Sequence, residues 1–497
     1  MARIDQALAA RQEGRLAAAE AACRALIADE PRNSAALNLL GALLIESGRP
    51  SEAERALRDA LIIEPESADM LFNLGIALGA SGSAQEAQHV FARAILKRPR
   101  FADGYYNLGL ALQSCGEDEK AAAVYGRAIA LDSRHARALN NLAMIHHRAE
   151  RLSDAISLYQ RALAADPNVP TTRANLASAL YSKGDRAGGE TVFREALAQD
   201  PRDPLANYVL GRIVLRNGDL DDSTAKLKTA LGALCDSTGW LQHGSPKRKH
   251  VWRHDEEGYR AACRTVVETL ARAGIDACLL CGTLLGAVRD GDVISYDKDL
   301  DFGIDASVTP TVLDAVLSAA GEFTRDHPLR DDDVLPCYWY KGVPIDFFRL
   351  FREGDTLWYG LLWFGHQVRW RHANFATRDF NFLGVETKIP ADPERYLTEA
   401  YGDWRSPNPY FGAWSSPNMD GGFPPVARCM AYESIFRAAW SGDRHRAASL
   451  CGQFLALDPT DTLAARLRET IANAPDAPSA PQTAFLPAFD DAIDNLP

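Results

Sequence analysis

Asp299 and Asp301 alternate with Leu300, Phe302 and Ile304, the period-2 pattern of a half-buried strand, so both carboxylates are expected on one side. Two carboxylates on one face repel and raise one another's pKa unless a cation stands in front of them. Mg2+ prefers hard oxygen ligands and keeps positions open for phosphates, so the pair reads as a metal clamp for phosphate chemistry. An Asp-rich surface turn is the plain alternative. A turn, however, needs neither the apolar alternation nor the Gly282-Thr283 pair that ends an apolar run just upstream, where a glycine-punctuated loop is expected. Gly282 allows a backbone to approach phosphate closely, and Thr283 offers a hydroxyl and an amide. Arg289 offers positive charge to a diphosphate leaving group, or else pairs locally with Asp290 or Asp292.

The run GTLLGAVRDG, starting at Gly282, followed by DKDLDFGI, starting at Asp297, resembles the signature of the LicD and fukutin-related proteins, a branch of the polymerase-beta-like nucleotidyltransferase fold. That resemblance implies a third carboxylate on a neighbouring strand, and Asp346, in the apolar run that follows Lys341, takes that place. It further implies Asp299, Asp301 and Asp346 as metal ligands and catalytic groups, with Mg2+ or Mn2+ as cofactor. Gly282, Thr283, Arg289 and Lys341 would then touch substrate. The implied donor is a CDP-linked alcohol, and the implied acceptor is a hydroxyl of a glycan, glycolipid or glycoprotein, which would receive a phosphocholine- or polyol-phosphate-like group. The family often carries consecutive aspartates where this chain reads Asp297-Lys298-Asp299, a departure that bears on substrate preference. Pro393-Glu-Arg-Tyr-Leu and Tyr401-Gly-Asp-Trp404 are similar to the family's closing segment, so the likeness runs from about Val251 to Phe411.

Elements must position these groups. Apolar residues at helical spacing from Asp255 to Ala273 predict a helix, and the strand that leads into Gly282 follows it. Cys278 and Cys281 read as core residues of that strand. Tyr338, Trp339, Tyr340, Trp358, Tyr359, Trp363, Phe364 and Trp370 are expected mostly in the core, with one or two free to stack a base or a sugar. His366 and His372 read as packing or hydrogen-bonding residues.

The first half has a different grammar. Leu40, Leu74, Leu108, Leu142, Leu176 and Leu210 recur every 34 residues, and so do Ala60, Ala94, Ala128, Ala162, Ala196 and Ala230. Glycines at 48, 82, 116, 184 and 218 mark turns, with Glu150 replacing one, and prolines follow the second helix of most repeats. This is the tetratricopeptide period, with about seven repeats over residues 1–237. Asn73, Asn107, Asn141 and Asn175 share one position in four successive repeats and would form a ladder. It is similar to the ladder of O-GlcNAc transferases that grips a peptide backbone; helix packing is the other reading. A linker is expected at 238–250, the catalytic domain at 251–425, a repeat-like helical segment at 426–474 and a disordered tail at 475–497.

The expected architecture is therefore multidomain, an all-α tetratricopeptide solenoid followed by an α+β nucleotidyltransferase domain. A net charge of −12 argues against a general nucleic-acid or anionic-membrane binder. No run approaches a membrane span and the start lacks a long apolar leader, so a cytoplasmic protein with free thiols at its nine scattered cysteines is expected. Two further functions keep the same sequence features: nucleotidyl transfer to a small molecule or protein, and a non-catalytic scaffold in which the repeats are the function.

Overall fold

The structure, a computed structural model, describes residues 2–167, 170–236, 256–294, 299–326, 328, 330, 333–363 and 365–474. The expected linker at 238–250, Asp297, Lys298 and the expected tail at 475–497 lie outside them. By its internal contacts the chain divides into two compact units, one ending at Pro201 and one running from Arg202 to Pro475.

The first unit is a stack of six helix pairs, from α1 (Ala2–Gln12) to α12 (Arg186–Gln199), each helix packed on the next. The recurring small residues explain the spacing. Ala60, Ala94, Ala128, Ala162 and Ala196 are buried at the helix contacts. A Cβ placed on Gly41, Gly75 or Gly109 would fall within 2.5 Å of Leu57, Phe91 or Tyr125, so only glycine admits those large neighbours. Between the helices of each pair the chain turns through a left-handed residue, with φ of 70° at Gly48 and 86° at Gly82. Glu150, which replaces that glycine, adopts the same conformation at φ 56° although it carries a Cβ.

The second unit begins with the seventh pair, α13 (Pro204–Arg216) and α14 (Leu220–Asp236). After it comes a mixed domain, and the chain then returns to helices: α19 (Pro425–Trp440), α20 (Arg444–Leu457) and α21 (Thr462–Ala472). α19 packs on α14, α20 on α19 and α21 on α20, so these helices extend the helical layer of the seventh pair. Gly442 turns at φ 76°, the repeat conformation its spacing predicts. The mixed domain is thus an insertion between two helices of one layer. Between α13 and α19, Arg212 Nε lies 3.2 Å from Glu433 Oε1, with side chains only 2% and 9% exposed.

In the inserted domain α15 (Glu256–Arg272) precedes β1 (Ala277–Leu279), α16 (Cys281–Arg289) and β2 (Leu300–Asp305). α17 (Pro310–Ala320) then leads to β3 (Phe323–Arg325), β4 (Cys337–Tyr340) and β5 (Val343–Glu353). The sheet order is β1-β2-β5-β4-β3, with β2 and β5 parallel and β1 antiparallel to β2. β6 (Thr356–Trp363) and β7 (His366–Ala373) extend from the far end of β5, while β8 (Thr377–Phe382) and β9 (Val385–Pro390) form a separate hairpin before α18 (Pro393–Tyr401). Leu300, Phe302, Ile304, Ile345 and Phe347 are fully buried, which commits the opposite face of β2 and β5 to Asp301 and Asp346. The segment after Gly282 is a helix rather than the expected loop, because Leu284, Leu285, Ala287 and Val288 outweigh its glycines. Cys281 opens that helix at φ 45° and so lies outside the strand that holds Cys278.

Glu433→Gln leaves the Arg212 guanidinium buried beside an amide and is expected to destabilise the second unit by about 3 to 5 kcal/mol; an unchanged thermal midpoint would contradict this role for the pair. Glu150→Gly should relieve the left-handed penalty and stabilise the first unit by about 1 kcal/mol, read as a higher urea midpoint.

Candidate active site

Residue 280, which precedes α16, is a leucine and offers no side-chain cap to the helix. The cap comes instead from the neighbouring strand. Asp301 Oδ2 accepts from the amides of Gly282 at 2.9 Å and Thr283 at 3.3 Å. The Asp301 amide donates to Thr283 Oγ1 at 2.8 Å, and the Leu280 amide donates to the Asp301 carbonyl at 3.1 Å. Asp301 is only 6% exposed, and the positive end of the helix compensates its charge there. Gly282 and Thr283 therefore face a carboxylate.

Asp346 is the register partner of Asp301 across the parallel β2–β5 pair and of Cys337 across the antiparallel β4–β5 pair. Asp299 sits in a bend one residue before β2, so the alternation inferred from sequence begins at Leu300. The Cys337 thiol reports on the crowding. Burial pushes its pKa far up, and the carboxylates of Asp346, Asp326 and Asp299 push it further. Among the described residues no three His, Cys, Asp or Glu groups are already drawn together as an ion site. The donors at hand, carboxylates on adjacent strands, are nonetheless the hard oxygens that Mg2+ takes.

Two residues assigned to substrate stand apart from the aspartates. Arg289 lies in the last turn of α16, about 12 Å along the helix from Cys281, and its guanidinium pairs with Asp290 at 2.9 and 2.8 Å. Lys341 occupies the β4–β5 hairpin turn at φ 49°, with Nζ 3.3 Å from Glu322 and 3.1 Å from the Tyr340 hydroxyl. The hairpin end is about 10 Å along β5 from Asp346. Both side chains have local partners in this structure.

Behind α16 runs a buried polar chain whose connections sequence reasoning missed. The Cys281 thiol lies 3.6 Å from the Tyr359 hydroxyl and 3.8 Å from that of Tyr396, and the two hydroxyls are 3.0 Å apart. His372 stacks on Tyr396 at 4.3 Å, with Nε2 3.3 Å from the Tyr359 hydroxyl and 2.6 Å from Asn418 Nδ2. Its Nδ1 lies 3.0 Å from Glu399 Oε2. Burial raises both phenols and lowers His372, which keeps all three rings neutral. Burial alone would raise Glu399, but the hydrogen bond with His372 and the charge of Arg395 hold it below its usual range. Tyr396 and Glu399 belong to the closing segment noted in the sequence, and they also line a cavity of about 160 Å³.

In the first unit each ladder asparagine bonds to a residue outside the ladder. Asn73 donates to Asn38 at 2.9 Å and Asn175 to Asn140 at 3.1 Å, which ties successive repeats together. Asn141 donates to the Tyr125 hydroxyl at 3.3 Å, and Asn107 to the Asp103 carbonyl of its own helix at 2.8 Å.

Residues 274–392 match the family model for the LicD/FKTN/FKRP nucleotidyltransferase domain, and tetratricopeptide models match 10–73, 72–125, 116–170 and 175–235. The ribitol-5-phosphate transferase FKTN of Macaca fascicularis is 26% identical over 148 residues, 28% of this chain and 32% of that protein. Its counterpart in Mus musculus is 26% identical over 155 residues, covering 30% and 34%. The chain thus spans about a third of the length of the curated relatives it matches. Among solved structures, MamA from Desulfovibrio magneticus RS-1 is 24% identical and covers 33% of this chain and 93% of its own, with a TM-score of 0.31. Among the described residues no helix is long and apolar enough to cross a membrane. Residues 274–392 belong to the LicD/FKTN/FKRP nucleotidyltransferase family, and they are carried on a chain whose first half is tetratricopeptide repeats.

Proposed function

We propose that this chain is a phosphotransferase that moves a phosphoalcohol, of the phosphocholine or polyol-phosphate kind, from a CDP-linked donor to a hydroxyl of a glycan, glycolipid or glycoprotein. The observation that carries this reading is the register of Asp301 beside Asp346, with the first amides of α16 pinning Asp301. Phosphoryl transfer demands positioning and charge neutralisation more than covalent chemistry, and a rigid carboxylate pair on parallel strands meets that demand. Asp299, Asp301 and Asp346 would hold Mg2+ or Mn2+, which neutralises the donor diphosphate when bound.

The chain's own groups have separate tasks. Gly282 and Thr283 act through Asp301, whose carboxylate they orient. Asp346 takes the proton of the acceptor hydroxyl as its oxygen bonds to the outer phosphorus, and the bond from that phosphorus to the bridging oxygen breaks to release CMP. Lys341 and Arg289 contribute to the field of the domain from a distance. The ribitol-5-phosphate activity named for the FKTN relatives supports a polyol-phosphate donor. The repeat array would present acceptor or partner protein, and surface-glycan synthesis is the setting such an activity serves.

Incubated with Mg2+ and a panel of CDP-alcohols, the wild type is expected to release CMP, with mass spectrometry naming the donor. Asp346→Asn should lower that rate at least about 100-fold with little change in thermal midpoint, whereas Asp301→Asn should also lose about 1 kcal/mol of stability with its cap. No CMP from any donor would overturn the transferase reading. Removing residues 1–201, which leaves α13 and α14 on their partner helix α19, should spare donor hydrolysis and abolish transfer to a macromolecular acceptor; equal loss of both activities would count against acceptor delivery by the array.

A further inference from the structure

Core aromatic rings are numerous in the inserted domain, but Trp339 is different. It is 38% exposed, the most exposed Phe, Tyr or Trp of the described residues. Its neighbours in β4, Tyr338 and Tyr340, are buried on the core face, so alternation places Cys337 and Trp339 on the opposite face. That face is the one of the carboxylates, because Cys337 pairs with Asp346 in the ladder. Trp339 is therefore the diagonal cross-strand neighbour of Asp346, about 7 to 8 Å from it between backbones.

The indole is also held in place. Its Nε1–H donates to Asp326 Oδ1 at 2.6 Å, and the Asp326 amide in turn donates to the Cys337 carbonyl at 3.1 Å, which anchors Asp326 to the same sheet. Thr324 and Pro344 flank Trp339 on the neighbouring strands. Tryptophan rings are normally buried for their apolar area, with the N–H satisfied. Here the N–H is satisfied while more than a third of the residue stays exposed.

We propose that Trp339 is the stacking platform for the nucleobase of the donor nucleotide, with Asp326 fixing the orientation of the indole. This rests on the reading of the domain as a nucleotide-dependent transferase. With the phosphates at Asp301 and Asp346, the base of the same nucleotide would lie one sugar away, a span comparable with the backbone separation of about 7 to 8 Å between Asp346 and Trp339. A bare ring favours any planar base, so the platform supplies affinity, and selection among bases falls to other groups.

The test measures binding of CMP, UMP, AMP and ribose 5-phosphate to the full-length protein by calorimetry with saturating Mg2+. In the wild type at least one nucleotide should bind more tightly than ribose 5-phosphate. Trp339→Ala should weaken that nucleotide roughly tenfold or more while leaving ribose 5-phosphate unaffected. Trp339→Phe should retain most of the affinity, and Asp326→Ala should fall between; these two variants carry the test if Trp339→Ala does not fold. Equal weakening of nucleotide and ribose 5-phosphate, or no gain of any nucleotide over ribose 5-phosphate in the wild type, would overturn the platform. CMP release from CDP-alcohols is read separately: release with a Trp339-independent Kd sinks the platform alone, and Trp339-dependent nucleotide binding without release sinks the phosphoalcohol reading alone.

Discussion

A carboxylate buried to 6% exposure needs compensation, and Asp301 receives it from the first amides of a helix that has no cap of its own. Each element repairs a defect in the other. The helix gains an acceptor for orphan N–H groups, and the aspartate gains donors in the interior. β1 and β2 are brought together by the same contact, since Leu280 and Asp301 also share a backbone hydrogen bond. Asp346 has its place only because β5 aligns in register with β2.

The buried chain from Cys281 to Glu399 forms the floor beneath that contact. Its members come from α16, β6, β7 and α18, and Asn418 joins them from the segment that leads into α19. Arg371, next to His372 in β7, bonds Asp420 at 3.0 Å, and Gln453 of α20 holds the Tyr410 carbonyl at 3.0 Å and the Gly412 amide at 3.0 Å. The helices after the insertion are thus bonded to the closing segment, and the closing segment to the floor of the site. The inserted domain and the helical layer share one hydrogen-bonded seam within the second unit.

Much of this was legible in the residues themselves. The 34-residue period predicted helix pairs and placed Glu150 at a turn position, where the structure finds a left-handed φ. Alternation around Asp301 predicted a strand with a buried apolar face, and Asp346 fell in an apolar run that the ladder places beside it. Helix α16 was hidden because glycines in a short window resemble a turn, while its cap lies eighteen residues away on another strand. For Arg289 and Lys341, sequence shows the charge but not the neighbour in the fold, which local geometry supplies as Asp290 and Glu322. The phenol and imidazole network was invisible for the same reason: Cys281, Tyr359, His372 and Tyr396 span more than a hundred residues and meet only in the fold.

Insertion between α14 and α19 also sets an order of events during synthesis. Arg212 and Glu433 are 221 residues apart, and translation at about 5 to 20 residues per second makes the first wait roughly ten to forty seconds for the second. For that interval the flank of α14 that carries Ser223, later covered by Cys429, stands without its neighbour. The nascent chain is therefore most prone to aggregate after the repeats have emerged and before the last helices follow. A slow codon stretch within the inserted domain would lengthen that exposure.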